Sequence, residues 1–198
     1  MTTLDFWYDF ASTYSYPAAM RIEALAAKKK VALRWRPFLL GPIFVEQGWK
    51  NSPFNIYPVK GRYMWRDMVR ICAREKLKLK VPDPFPQNSI HAARAAMALA
   101  PEKRAAFSKA VYHTAFAEGR DISSRAALAP ILESMGLHAS HVLEESARDP
   151  AKLALRMETD EAKRLGIFGA PTCVTEDGEL FWGNDRIEEA LAWAVDKR

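Results

Sequence analysis

The 198-residue sequence predicts an α/β fold: strand–helix–strand at the start, a block of helices in the middle, and helix–strand–strand–helix at the end. Three observations carry this order. Leu4 to Phe10 is a short aromatic-rich apolar run that suits a buried strand, and "VALRWRPF" alternates Val31, Leu33 and Trp35 against Ala32, Arg34 and Arg36. From Gly61 to Leu165 the chain reads as almost entirely helical. "APTCVTEDGELFWG" then places two short β runs around Asp177–Gly178, a strong hairpin signal.

Each element follows from local chemistry. "AAMRIEALAAKKK" sets Met20, Ala24 and Ala27 on one helical face, with lysines at the end, where a helix dipole favours cations. A helix between two strands in so few residues is a βαβ unit, which predicts parallel strands and a right-handed crossover. No period holds from Gly41 to Pro58, so a long loop is expected there. "GRYMWRDMVRICAREK" predicts a helix over Gly61–Lys76, with the proline-rich "VPDPFP" after it. Further helices are expected at His91–Leu99, Glu102–Glu118, Ser124–Met135 and His141–Arg148, the third of these kinked or shortened by Pro130. A helix over Ala151–Leu165 closes on Gly166 as a left-handed cap. In "DRIEEALAWAVDKR", Ile187, Leu191 and Val195 keep helical spacing, with acids first and bases last. Residues 1–40 and 151–198 then form one unit, and residues 41–150 an inserted helical one.

Composition narrows the function. With 49% apolar residues the chain can bury a substantial core. The net charge of +5 is modest and its Lys and Arg are scattered, a weak nucleic-acid footprint that still favours a small anionic ligand. Cys72 and Cys173 lie far apart with no CxxC or zinc-ligand spacing, and the four histidines show no metal-ligand spacing. This argues against a disulfide scaffold, a dithiol centre and a metal site. "MTTLDFWYDF" lacks a basic segment leading into a long apolar one, and no later stretch is long enough to span a bilayer. A cytoplasmic protein without membrane or nucleic-acid partners is expected.

With this order, "FWYDFASTYSY", "PVKGRYM", "FGAPT" and "GNDRIEEAL" resemble the matching segments of 2-hydroxychromene-2-carboxylate isomerases and kappa-class glutathione transferases. The resemblance covers nearly the whole chain. It implies a thioredoxin-like domain (βαβ–αββα) with an inserted all-helical domain, glutathione as cofactor, a small aromatic carboxylate as substrate, and pairing as a homodimer. One residue departs from the family pattern, which has proline after its active-site serine; here that residue is Thr13.

Taken alone, a serine after a strand is most often an N-cap, and Ser12 fits that role. Within the resemblance, Ser12 stands where disulfide oxidoreductases of this fold carry CxxC at the start of the first helix. Its hydroxyl would then hold the thiolate of glutathione. Pro171 matches the cis proline opposite that helix, so Ala170 would offer N–H and C=O to the cysteinyl part; by itself it reads as an ordinary trans proline, since only ~5% of such bonds are cis. Asn184 and Asp185 read as capping residues or, by resemblance, as contacts for the γ-glutamyl end. Asn51 matches the asparagine that contacts glutathione in kappa-class enzymes by its offset from Lys60–Gly61. Asn55 competes for that place, and either can be a turn residue. Arg36, Lys50, Lys60 and Arg62 are candidates to meet a substrate carboxylate. The implied activity is isomerisation through thiolate addition to a conjugated double bond, rotation and elimination. A kappa-like transferase and a non-catalytic thioredoxin-fold binding protein share the same motifs.

Overall fold

A computed structural model describes residues 2–196. Strand β1 (Thr3–Tyr8), helix α1 (Ser15–Lys29) and strand β2 (Ala32–Pro37) form the opening unit. The helices that follow are α2 (Leu40–Glu46), α3 (Pro53–Ile56), α4 (Pro58–Arg74), α5 (Ile90–Ala98), α6 (Pro101–Tyr112), α7 (Arg125–Ser134), α8 (Ala139–Ala147) and α9 (Asp149–Arg164). The chain closes with β3 (Thr172–Thr175), β4 (Leu180–Trp182) and α10 (Ile187–Asp196). The sheet order is β2-β1-β3-β4; β1 runs parallel to β2, and β3 runs antiparallel to both β1 and β4.

The central place of β1 explains its sequence. A strand covered on both faces reads as a continuous apolar run rather than an alternating one. Leu4, Phe6 and Tyr8 pack with Ala18, Ala19 and Ile22 of α1 and with Ile187 and Leu191 of α10. Trp7 points the other way, into a smaller cluster with Phe38, Ile43, Ala162 and Ile167. Helices α1 and α10 therefore cover one face of the sheet, and α2 and α9 the other. Phe6 meets Trp35 edge-on at 5.0 Å between ring centroids, which locks β2 to β1.

The hairpin forms where "EDG" predicts it: Gly178, at φ +86°, donates its N–H to the Thr175 carbonyl at 2.9 Å. Gly166 also takes its expected left-handed conformation, at φ +78°, and Ile167 N–H reaches back to Ala162 O at 2.9 Å. Three expectations are corrected. The buried stripe of α1 is Ala18, Ala19, Ile22 and Ala26, while Ala24 and Ala27 face solvent and Met20 is half-buried. In an alanine-rich helix the small residues do not single out a face. The segment from Gly41 to Pro58 is not a plain loop but holds α2 and α3, both too short to show a period. Helix α4 begins at Pro58, a residue suited to a first turn, rather than at Gly61. Helix α7 runs through Pro130, and α6 passes into a π-helical turn over His113–Ala117. Residues 197 and 198 of the last predicted helix lie outside the described residues.

Candidate functional site

Between β1 and α1 the chain turns on Asp9. Its buried carboxylate accepts Ala11 N–H at 2.9 Å through Oδ1 and Leu40 N–H at 2.7 Å through Oδ2. Its backbone carbonyl accepts Ser12 N–H and the Tyr112 hydroxyl, each at 2.9 Å. One residue thus fixes the turn, the start of α2 and a helix of the middle block. Burial raises the Asp9 pKa, and the N–H groups of Leu40 and Ala11 with the Ser89 hydroxyl partly oppose this.

The Ser12 hydroxyl has two partners. It accepts Ser15 N–H at 3.3 Å, a capping contact on the first residue of α1 although the N-cap position itself is Tyr14, and donates to the Ala170 carbonyl at 2.8 Å. The Ala170–Pro171 peptide is cis. Strand β3 follows at once, with Thr172 opposite Trp7, so the two loops meet above the end of β1. The Ala170 N–H has no hydrogen-bond partner among the described residues. A Cβ on Gly169 would strike the Trp182 indole, so glycine is required for the loop to pass beneath that ring.

Thr13, at the family's proline position, is buried and donates to the Met64 sulfur at 3.1 Å. Tyr14 donates to Asp67 Oδ2 at 3.1 Å, and its ring meets Phe54 at 6.3 Å. Burial and the Asp67 carboxylate push the Tyr14 hydroxyl pKa well up, so it stays protonated. Thr13 and Tyr14 therefore bind the start of α1 to α4 and α3.

Asn184 is buried, its Oδ1 accepting Arg21 Nε–H at 2.9 Å. Arg21 also donates to the Asn184 carbonyl and pairs with Glu188. Arg21 escaped sequence reasoning, because a mid-helix arginine has no local signal and its partners lie more than 160 residues away. Asp185 is exposed and forms no ion pair with a described residue. Gly183, at φ +122°, lets the chain enter this turn; a Cβ there would sit 2.5 Å from Asp185 Oδ1.

Asn51 and Asn55 lie together at the surface. Asn51 Oδ1 accepts Ser52 N–H at 2.7 Å and Asn55 Nδ2–H at 3.3 Å, and Asn55 also donates to the Phe85 carbonyl at 3.1 Å. No hydrogen bond among the described residues joins them to Ser12 or Ala170; the link is Phe54, packed on Tyr14. Of the four candidate cations, Arg36 is committed to Glu158 and Asp5 and stacks on Trp7 at 4.1 Å. Lys50, Lys60 and Arg62 are exposed without a carboxylate partner among the described residues, Lys60 lying 5.7 Å from the Tyr57 ring. Cys72 and Cys173 are free thiols in the core, pushed by burial to about 11 and about 12, and so are protonated at neutral pH. Among the described residues no His, Cys, Asp and Glu cluster has a metal-holding arrangement, and no helix is long and apolar enough to cross a membrane.

A family model for the DSBA-like thioredoxin domain matches residues 3–192. The chain is 31% identical to 2-hydroxychromene-2-carboxylate isomerase of Sphingobium xenophagum, over 98% of both chains. It is 27% identical to glutathione S-transferase kappa 1 of Rattus norvegicus, over 93% of this chain and 87% of the relative. A solved structure of a 2-hydroxychromene-2-carboxylate isomerase superposes with a TM-score of 0.87 at 25% identity, covering 98% of this chain and 95% of the other. The cis proline, the hydroxyl facing it and the α/β frame all sit in a chain whose curated relatives are enzymes. The chain belongs to the DSBA-like thioredoxin domain family and, within it, to the group of 2-hydroxychromene-2-carboxylate isomerases and kappa-class glutathione transferases.

Proposed function

We propose that this protein is a glutathione-dependent isomerase of the 2-hydroxychromene-2-carboxylate type, acting on a small aromatic carboxylate. The observation that carries the reading is the bond from Ser12 Oγ to Ala170 O: a hydroxyl, not a sulfur, at the start of the first helix and against the residue before the cis proline. The residues present fit glutathione. Ala170 offers an unpaired N–H beside its carbonyl, Asp185 a free carboxylate for an ammonium, and Ser12 a hydroxyl proton that can be redirected. When bound, glutathione supplies the sulfur nucleophile that adds to a conjugated carbon and later leaves, freeing the intervening bond to rotate.

The chain's own part is positioning and charge stabilisation. A serine has one proton to give. An incoming peptide N–H can take over the Ala170 carbonyl, which releases the Ser12 proton toward the sulfur. Turning that proton about the Cβ–Oγ bond leaves the oxygen in place to keep Ser15 N–H, so the cap survives. A free thiol with a pKa of ~8.5 is only a few per cent ionised at neutral pH, and lowering it by ~2 units needs ~2.7 kcal/mol of thiolate stabilisation. One charge-assisted hydrogen bond and the amide groups at the head of α1 are of that order. Arg21 fixes Asn184, and with it the backbone on which Asp185 stands. Lys50, Lys60 and Arg62 remain free to meet the substrate carboxylate, whereas Arg36 is already neutralised.

A kappa-like transferase reading is favoured by the 27% identity to the rat enzyme. Turnover counting separates the two. An isomerase converts many substrate molecules per glutathione and leaves its thiol titre unchanged; stoichiometric thiol loss with a thioether product would establish the transferase. Failure of millimolar glutathione to raise Tm would overturn both, since a ligand of the folded state stabilises by mass action.

A further inference from the structure

On the side of the molecule that carries α2 and α9, a groove of about 560 Å³ runs between α5 and α9. Ligand sites commonly measure ~300–1,000 Å³ with apolar walls and a few placed polar groups. Leu39, Pro42, Ile90 and Leu153 wall this one. Its charges are unequal. Lys152 is matched by Asp149 at 3.0 Å, and Lys163 by Glu46 at 2.6 Å with Asp160 at 4.0 Å. Arg94 and Arg156 also line it, and neither makes a hydrogen bond or ion pair with a described residue. The Arg94 case is the telling one: its Nε–H is fully buried and has no acceptor. A guanidinium taken partly out of water without a partner is unfavourable, and such groups are paired in most folded proteins. Ile90 and Arg94 stand one turn apart on α5, so the cation and an apolar wall open onto the same space.

We infer that this groove binds a small organic carboxylate with an apolar body, its acid end held by the Arg94 guanidinium and its body against Ile90, Leu153 and Leu39. A carboxylate accepts two parallel N–H bonds from arginine, which the unbonded terminal nitrogens of Arg94 can supply, its Nε–H being closed to solvent. The site lies on the sheet side opposite α1, so it does not use the Ser12 hydroxyl and stands whether or not glutathione is the cofactor.

The test is titration of the full-length, ¹⁵N-labelled protein with 1-naphthoate, with 1-naphthamide as its uncharged counterpart. Saturable shifts should gather at residues 39–43, 90–94 and 152–163, the Arg94 Nε–H resonance should move with them, and the amide should bind at least tenfold more weakly. Arg94→Gln should weaken naphthoate at least tenfold while leaving its Tm no lower than wild type, because it removes an unpaired, half-buried cation. Saturating glutathione should not displace the probe. Equal binding of naphthoate and naphthamide, shifts gathered elsewhere, or an Arg94→Gln variant with unchanged affinity would each overturn the inference. The comparison of acid with amide on wild-type protein decides the matter even if the variant fails to fold.

Discussion

Ser12 has its proton on Ala170 and its lone pair on Ser15 N–H, so substitution removes a cap and a donor together. Ser12→Ala should cost ~1.5–3 kcal/mol in the thiolate-dependent step, or roughly ten- to a hundredfold in rate. Folding stability should fall by only ~1 kcal/mol, the usual loss for a cap. Measuring kcat and the unfolding free energy on one preparation separates the two losses. Ser15→Ala is the control: Ser15 is fully buried, its hydroxyl lies near Tyr112 without a well-formed hydrogen bond, and its removal should leave rate unchanged. Asp9 gives a pH signature. Its native pKa is raised above the usual 3.8, so in the window above that value the folded state holds a proton that the unfolded state has released. Stability from this residue is present below the unfolded pKa and is lost as pH rises through the native one. Asp9→Asn cannot titrate, and its Tm from about pH 4 to about pH 8 should fall less with rising pH than wild type's. Equal slopes would show that Asp9 does not titrate in that window.

Elements meet at the site through contacts with little sequence signal. Arg21 of α1 holds Asn184 at the head of α10 and pairs with Glu188. Arg21→Ala should therefore raise KM for glutathione severalfold with a smaller change in kcat, which steady-state kinetics would read; an effect on kcat alone would place Arg21 elsewhere in the mechanism. Helix α1 ends on Lys30, a non-glycine residue at φ +55°, whose N–H caps Ala26 and Ala27 carbonyls. Glycine is the residue suited to that conformation, so Lys30→Gly should stabilise the fold by ~0.5–1 kcal/mol in denaturant unfolding. The strands, the hairpin and most helices were legible because each is long enough to show a period or ends on a residue with a fixed backbone preference, as at Gly166 and Gly178. Helices α2 and α3 were not legible. They are held by tertiary bonds, Leu40 N–H to Asp9 and Leu39 N–H to Thr159, or by a single cap from Ser52 to Phe54. At the site, Ser12 and Ala170 could be paired by motif order, whereas the commitment of Arg36 to Asp5 and Glu158 is visible only once the strands and α9 are assembled.

At the scale of the whole molecule, the fold brings an N-terminal turn and a C-terminal loop, 158 residues apart, within one hydrogen bond at the end of the central strand. It places no reactive thiol of its own there, since both cysteines are buried in the core with raised pKa. The same two thiols make the central claim measurable, because titrating at about 11 and about 12 they stay silent in the neutral range. The decisive measurement is the thiolate absorbance of glutathione bound at saturation, followed against pH for wild type and Ser12→Ala. If Ser12 and the head of α1 hold the sulfur ionised, the bound thiol in wild type should titrate ~2 units below the free value, and Ser12→Ala should return at least one of those units. Affinity measured below both transitions should change little. A bound thiol that titrates like free glutathione in wild type, or one depressed equally in Ser12→Ala, would contradict the role given to this hydroxyl.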